Sequence, residues 1–151
     1  MLATSPGPMS LLPCTGTGTA RSPFVMVTGW YRPDQATAYG QAIAVRLEGD
    51  KALVPTLWQL ELANVLKTAC TRGKLSLDAA RQILDALGTL PIEIDAGPAP
   101  GQRQLFELAM RCKLSSYDAT YLELAMRHGL PIATQDEQLK EAAIAAGIAI
   151  L

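Results

Sequence analysis

The sequence predicts an α/β fold in which helices cover both faces of a central parallel sheet. Short apolar segments alternate with segments of helical length and spacing, and the last third repeats the order helix, strand, helix, strand. Such alternation is typical of right-handed crossovers between parallel strands. The chain has 151 residues, of which 49 % are apolar and 18 % charged, and this size and composition indicate one compact domain.

The amino-terminal segment differs from the rest of the chain in composition. Fourteen of residues 1–24 are Thr, Ser, Pro or Gly, and none is acidic. The segment shows neither helical nor strand periodicity, which is typical of disorder or of sequence foreign to the domain. We therefore expect a disordered or foreign segment over residues 1–23 and one folded domain over residues 24–151.

The elements of the first half follow from apolar spacing. FVMVTGW (24–30) predicts a short buried strand, followed by a turn at 31–35. Apolar residues at helical spacing predict a helix over 36–48, KALV (51–54) predicts a strand, and 57–72 predicts a strong helix.

The next helix is delimited by its capping residues. Ser76 is a typical N-cap and Gly88 a typical helix end. Between them the pattern predicts that Leu77, Leu84 and Leu87 are buried.

The second half of the chain predicts three further strands and three further helices. LPIEID (90–95) alternates as a strand does. Pro91 indicates that the strand begins at this proline or lies at an edge of the sheet. The remaining predicted elements are helices over 102–112, 116–128 and 136–146 and strands over 130–134 and 148–151.

Three acids occupy positions where an α/β domain has little structural need of them. Glu61 lies in the apolar helix LWQLELANVL (57–66), where an unpaired carboxylate is costly unless a metal or Asn64 offsets the charge. Asp118 opens a helix, and Asp136 directly follows a predicted strand, where ligands of parallel sheets bind.

Each acid also has a structural alternative. Glu61 suits a helix flank on which it pairs with a distant base. Ser115 and Asp118 resemble a capping box at the start of one helix. At the start of the last helix, Thr134 would be the cap and Glu137 would close the box, which makes Asp136 an acid of the first turn. Taken together, however, carboxylates from separate segments could share a divalent cation, because Mg²⁺ is held by one or two carboxylates with waters and substrate phosphates.

The remaining ionisable residues add little to this site. His128 is the only histidine, which argues against nucleophilic triads and zinc sites. We interpret the other acids of the helices and turns as solvated, and these are Asp85, Asp95, Glu107 and Glu141.

Net charge, cysteine content and the length of apolar runs restrict the cellular location and the partners that we expect. A formal net charge of −1 gives no global attraction to nucleic acid. Three widely spaced cysteines form no CxxC pair, and no apolar run reaches the length of a membrane span. We expect a cytoplasmic protein with no membrane segment.

From about residue 30 to its end, the chain resembles the PIN-domain family, and within it the VapC-like toxin ribonucleases. The matching stretches are VPTLWQLELANVL (54–66), YDATYLELAMRHGLPIAT (117–134), Asp136 and LKEAAIAAGIAIL (139–151). The resemblance implies a three-layer α/β/α sandwich, Mg²⁺- or Mn²⁺-dependent RNA cleavage, a homodimer and a small cognate antitoxin. It implies the metal-binding and catalytic residues Glu61, Asp118 and Asp136, with Asn64 and Thr134 as supporting polar residues.

One element of the family pattern is missing. The first strand of such domains ends in an Asp, and counting back from Trp30 places that position at Pro23. We hypothesise that the amino terminus was replaced through a frame change or a wrong start. An Asp-bearing strand in another upstream reading frame would support this hypothesis, and a clean frame would remove it. The missing acid would impair a nuclease and leaves two alternatives open: an inactive module that binds an antitoxin or RNA, and a domain whose acids only cap helices.

Overall fold

A computed structural model describes residues 22–27 and 37–151 of the chain. Within these residues the strands are β1 (Phe24–Met26), β2 (Ala52–Val54), β3 (Ile92–Ile94) and β4 (Ile132–Ala133). The helices are α1 (Ala38–Gly49), α2 (Leu57–Thr71), α3 (Leu77–Leu87), α4 (Gln102–Cys112), α5 (Ser116–His128) and α6 (Glu137–Ala145). The segment predicted as disordered or foreign falls almost entirely outside the described residues, as does the turn predicted at 31–35.

The strands form one parallel sheet in the order β3-β2-β1-β4. Val25 pairs with Leu53 of β2 on one side and with Ile132 of β4 on the other. Phe24, Val25 and Met26 are fully buried, as expected for an interior strand covered on both faces. The predicted α/β fold with a parallel sheet is therefore confirmed.

The strands predicted for the two edges of the sheet are not equally well formed. β3 lies at one edge and begins directly after Pro91, as the position of that proline predicts. The strand predicted at 148–151 is present only as a parallel bridge between Ile132 and Ile150. Two hydrogen bonds flank this bridge, from Ile132 N to Ala149 O at 2.9 Å and from Leu151 N to Ile132 O at 3.0 Å.

The prediction for α3 is correct in its ends and wrong in its buried face. The Ser76 side chain accepts a hydrogen bond from Ala79 N, and Gly88 is the C-cap. Leu87 is buried, but Leu77 and Leu84 are 60 % and 46 % exposed. Ala80 is buried instead and belongs to the core. Leu84 lines a groove together with Trp58 and Leu62 of α2.

Nearly the whole middle of α5 is buried, since this helix packs against β1, α4 and α6. It ends at Gly129, whose φ of 63° is in the left-handed region that glycine adopts without strain. α5 leads directly into β4, so the position of this helix also fixes the strand.

An ion-pair network holds the end of α5 against the loop that follows β3. Arg127 donates to Asp95 Oδ2 at 2.8 Å and to Glu123 Oε1 at 2.9 Å, and His128 Nε2 lies 3.1 Å from Asp95 Oδ1. The Asp95 side chain is only 12 % exposed, so the prediction of a solvated acid is wrong. The hydrogen bond from Arg127 lowers the pKa of Asp95, although burial acts in the opposite direction.

Two further sequence expectations concern the cysteines and the membrane. Cys70 and Cys112 are free thiols in half-buried helical positions. Among the helices of the described residues, none combines the length and hydropathy needed to cross a bilayer.

We expect the Asp95 carboxylate to make stability depend on pH. Its pKa is lower in the folded than in the unfolded protein, so its stabilisation is fully present above the unfolded value of about 4 and is lost as the pH falls from there through the lower folded value. Asp95→Asn should therefore lower the free energy of unfolding near neutral pH by about 1–3 kcal/mol, and by less in acid. Urea denaturation at about pH 7 and about pH 2.5 measures both quantities.

Asp78 provides the matched control for this substitution. Its side chain is 85 % exposed and pairs with Arg81 on the surface of α3, so Asp78→Asn should change stability by less than about 0.5 kcal/mol. An Asp95→Asn protein with the pH dependence of the wild type would contradict the proposed role of the network.

Candidate functional site

The three acids singled out from the sequence lie on helices whose first turns face the carboxyl edge of the sheet. α2 follows the end of β2 after two residues, and α6 follows the end of β4 after three. α5 runs into the beginning of β4, so its last turn faces the amino edge and its first turn faces the carboxyl edge. This topology places Glu61, Asp118 and Asp136 on one side of the molecule, where parallel sheets bind ligands.

Glu61 is half-buried in the second turn of α2 and is tied to α5. The Tyr121 hydroxyl donates a hydrogen bond to Glu61 Oε2, and the Tyr121 side chain is 1 % exposed. This contact brings α2 against the beginning of α5, one helical turn from Asp118. Asn64, expected from the sequence to support Glu61, is exposed and lies beside Glu61 on the wall of a surface groove.

Sequence reasoning missed Tyr121 as a functional residue. The available signal was its position three residues after Asp118 in an apolar helix, since a buried tyrosine hydroxyl usually has a hydrogen-bond partner. The sequence could not identify Glu61 as that partner, because the two residues are 60 positions apart.

Asp118 lies in the first turn of α5, in the predicted capping arrangement. Ser115 is the N-cap, and its Oγ accepts from Asp118 N at 3.0 Å. The Ser115 hydroxyl also donates to Asp118 Oδ2 at 2.6 Å. The predicted N-cap at Ser115 is therefore confirmed. The Asp118 carboxylate binds the hydroxyl of this serine, where a capping box would use its backbone N–H.

The predicted capping of α6 is wrong by two residues. Asp136 itself is the N-cap, and its Oδ1 accepts from Leu139 N at 2.8 Å. Thr134 is buried just beyond β4, and its Oγ1 accepts from Asp136 N at 3.1 Å. Because the Thr134 hydroxyl forms a turn within the loop, the helix starts later, and Glu137 becomes the first-turn acid.

The carboxyl end of β1 carries no acid in this structure. Val27 follows β1, is 8 % exposed and donates its backbone N–H to Ala133 O at 3.2 Å. Pro23 lies immediately before β1, at the amino edge of the sheet. An Asp at position 23 would therefore lie at the opposite edge from Asp136, whereas position 27 lies at the carboxyl edge of the sheet.

The donors at this edge are of the type that binds hard cations. Mg²⁺ and Mn²⁺ prefer carboxylate oxygens, and one or two carboxylates suffice when waters and phosphates complete the coordination. Asp118 Oδ1 and Asp136 Oδ2 make no hydrogen bond to any residue in the described part of the chain. However, within residues 22–27 and 37–151 no three His, Cys, Asp or Glu side chains are close enough together to hold one ion. The chemistry of the donors therefore fits such a cation, but the three acids are not gathered into one ligand set.

Asp136 offers a way to separate its capping role from its charge. Asp136→Ala removes the acceptor of Leu139 N–H and should lower the free energy of unfolding by about 1 kcal/mol. Asp136→Asn keeps a capping oxygen without the charge and should cost less. Urea denaturation of both variants, with Ser76→Ala as the reference for loss of a cap, measures these differences. Equal losses in the two Asp136 variants would contradict the capping assignment.

Comparisons with known proteins agree with this architecture. Residues 30–145 match the family model described as PIN domain. The crystal structure of PAE2754 from Pyrobaculum aerophilum is similar, with a TM-score of 0.63 and 21 % sequence identity over 83 % of this chain and 87 % of that chain. At this identity the similarity shows the fold alone. Comparison with proteins of curated function gives no match.

The family match covers 116 of the 151 residues and includes the segments that carry all three acids. PIN domains have a nuclease-type fold and generally use divalent metal ions, and membership suggests binding of nucleic acid. The parallel sheet, the position of the acids and the match over residues 30–145 lead to one conclusion: the chain belongs to the PIN-domain family.

Proposed function

We propose that this protein is a metal-dependent endoribonuclease, the VapC-like toxin component of a type II toxin–antitoxin pair, with an activity reduced by the absence of the first acid. The observation that carries the proposal is the link between Glu61 and the first half of α5, which places two acids from distant segments at the carboxyl edge of the sheet. Asp136 begins α6 at the same edge.

In this proposal Glu61, Asp118 and Asp136 hold Mg²⁺ or Mn²⁺. When bound, such a cation stabilises negative charge on a phosphodiester and lowers the pKa of a water molecule. The chain contributes preorganised ligands: Tyr121 holds Glu61, and Ser115 holds Asp118. Such second contacts orient ligands before the cation arrives.

Two supporting polar residues have different roles in this proposal. Thr134 fixes the turn from which Asp136 projects, because its buried hydroxyl accepts from the Asp136 backbone. Asn64 lies on the exposed side of α2 near Glu61, where its amide is available to substrate.

A toxin of this type would have two protein partners and would act in the cytoplasm. A small antitoxin would bind the toxin, and a second copy would complete a homodimer in the cytoplasm. Val45 of α1 and Leu60 of α2 are 64 % and 72 % exposed, so the first two helices offer apolar surface for such contacts.

The second candidate is an inactive PIN module that binds RNA or an antitoxin without cleavage. Two observations favour it: the end of β1 carries the buried apolar residue Val27, and no three potential ligands are gathered in the described residues. Asp136 caps α6, and Asp118 binds the hydroxyl of Ser115, which caps α5, so neither residue needs a metal to explain its position.

We expect purified protein to cleave a mixed RNA substrate in Mg²⁺ or Mn²⁺ and to stop cleaving in excess chelator. Asp118→Asn should reduce the rate by roughly 10-fold or more, because it removes a ligand charge. Asp78→Asn is the matched control, since Asp78 is also a first-turn acid of a Ser-capped helix but lies on α3. A folded wild type that binds RNA without cleavage would establish the binding module instead.

We expect an acid at position 27 to couple stability to the cation. Val27→Asp places a charge at a buried position and should lower the free energy of unfolding by about 2–4 kcal/mol without metal. Mn²⁺ should then raise the thermal midpoint of Val27→Asp more than that of Val27→Asn, because only the Asp adds a ligand charge.

Pro23→Asp is the positional control for this experiment, since residue 23 lies at the other edge of the sheet. It should show no stabilisation by Mn²⁺ beyond that of the wild type. If Val27→Asp and Val27→Asn respond equally to Mn²⁺, position 27 does not share a site with the other acids.

A further inference from the structure

β3 forms one edge of the sheet, and among the described residues it pairs with β2 alone. Pro91 O accepts from the first residue of β2 at 2.9 Å, and Asp95 N donates to the last residue of β2 at 2.8 Å. The backbone groups of successive strand residues point to alternate sides, so Ile92 and Ile94 direct theirs away from β2. The outer edge of the sheet on this side is therefore formed by the backbone of these two isoleucines.

Three backbone groups on this outer edge make no hydrogen bond within residues 22–27 and 37–151: Ile92 O, Ile94 N and Ile94 O. The fourth group, Ile92 N, donates to Leu90 O at 2.8 Å. A row of such donors and acceptors is a template for the backbone of a further strand. The chemistry of this edge thus suits an extended peptide, which can bond to it with its own main chain.

An apolar groove of about 310 Å³ lies beside the same edge, between α2, α3 and β3. Its apolar wall includes Trp58, Leu62, Leu84, Leu87, Ile92 and Ile94. Leu84 is 46 % exposed and Ile94 is 37 % exposed, so part of this apolar wall is open to solvent. Side chains of a strand alternate between its two faces, so every second residue of an added strand would point toward the groove.

The charge on β3 favours a foreign strand over a second copy of the chain. The Glu93 side chain lies between the two isoleucines in sequence, pairs with Lys51 at 2.8 Å and is still 57 % exposed. Antiparallel pairing of two copies about the centre of β3 would place two Glu93 side chains opposite each other, which is unfavourable. A strand with lysine or arginine at that position would be attracted instead.

We propose that the outer edge of β3 and the adjoining groove bind an extended segment of a partner protein, which adds to the sheet as a further parallel or antiparallel strand. The segment would bond to the backbone of Ile92 and Ile94 and place apolar side chains at alternate positions in the groove. A basic residue on its other face would lie near Glu93. This surface contains none of the three acids of the candidate site, so the inference does not depend on the proposed nuclease activity.

The first test is amide hydrogen exchange of the full ¹⁵N-labelled chain, with and without an excess of a synthetic heptapeptide. The heptapeptide alternates Val with polar residues and has Lys at its centre. Ile94 N–H should exchange rapidly in the free protein and at least about 10-fold more slowly with the peptide. Asp95 N–H, which is bonded to β2, is the internal control and should be protected in both samples.

A control on the peptide leaves the protein unchanged. N-methylation of the peptide backbone removes its donors and keeps its side chains, so it should abolish the protection of Ile94 N–H. Replacing the central Lys by Glu should weaken binding by about two- to five-fold, because the acid would face Glu93.

Two pairs of protein variants separate the edge from the groove. Ile94→Pro removes the outward N–H, which β2 does not use, and should weaken peptide binding by about 10-fold, whereas Ile94→Ala keeps that donor and should weaken it less. Leu84→Ser should weaken binding by about five-fold. Leu77→Ser is its matched control, since Leu77 is also an exposed leucine of α3 but lies outside the groove, and should change affinity by less than about two-fold.

Each contrary outcome identifies a different occupant of the edge. Slow exchange of Ile94 N–H in the free monomer would show that the chain itself covers the edge, and the proposal would be wrong. Loss of self-association in sedimentation for Ile94→Pro, with no effect of the peptide on the wild type, would make the edge a contact between copies. Equal protection by the N-methylated peptide, or none by the unmodified peptide in excess, would also overturn strand addition.

Discussion

The burial of α5 is the constraint on which most of this structure depends. The helix packs against β1, α4 and α6, so residues 121–125 are all buried, including Tyr121 and Glu123. Buried polar groups need partners, because an unpaired one costs several kcal/mol. Tyr121 therefore binds Glu61 of α2, and Glu123 binds Arg127. The first contact links α5 to α2 at the candidate site. The second lies within α5 and orients Arg127, whose other hydrogen bond reaches Asp95 in the loop after β3.

The structural roles of Asp118 and Asp136 leave part of each carboxylate available. Each of Asp118 and Asp136 lies where a helix begins, at a position that favours negative charge near unpaired backbone N–H groups. Their hydrogen bonds use one carboxylate oxygen and leave the other without a partner among the described residues. A cap thus holds a carboxylate in place without using all of its acceptor capacity. The capping explanation and the ligand explanation are therefore compatible for these two residues.

The sequence predicted the features that depend on local chemistry. Ser76, Gly88 and Ser115 delimit helices as expected, and Pro91 marks the beginning of an edge strand. These features depend on residues within a few positions of one another. In α3 the helical period was correct, but the direction of its buried face depends on α2, so the exposure of Leu77 and Leu84 was not predictable.

The errors at the site have the same origin. Asp95 looked solvated because its partner Arg127 is 32 positions away. The cap of α6 was assigned to Thr134, since the sequence does not show that this hydroxyl is buried beyond β4 and bonded within the loop. The missing acid was assigned to position 23 by counting along the chain. The register of β1 against β4 shows instead that position 27 faces the carboxyl edge.

Val27 places a buried apolar side chain at the end of β1. A buried valine at the end of β1 contributes about 1.5–3 kcal/mol to stability through the hydrophobic effect. A carboxylate at the same position would need a cation or a hydrogen bond to offset its burial. Compared with a domain that has an Asp at this position, the chain gains one apolar side chain in its core and lacks one negative charge at the carboxyl edge of the sheet. If the chain binds Mg²⁺ or Mn²⁺ as proposed, the ligand charge at this edge must come from Glu61, Asp118 and Asp136 together with the oxygens of the substrate.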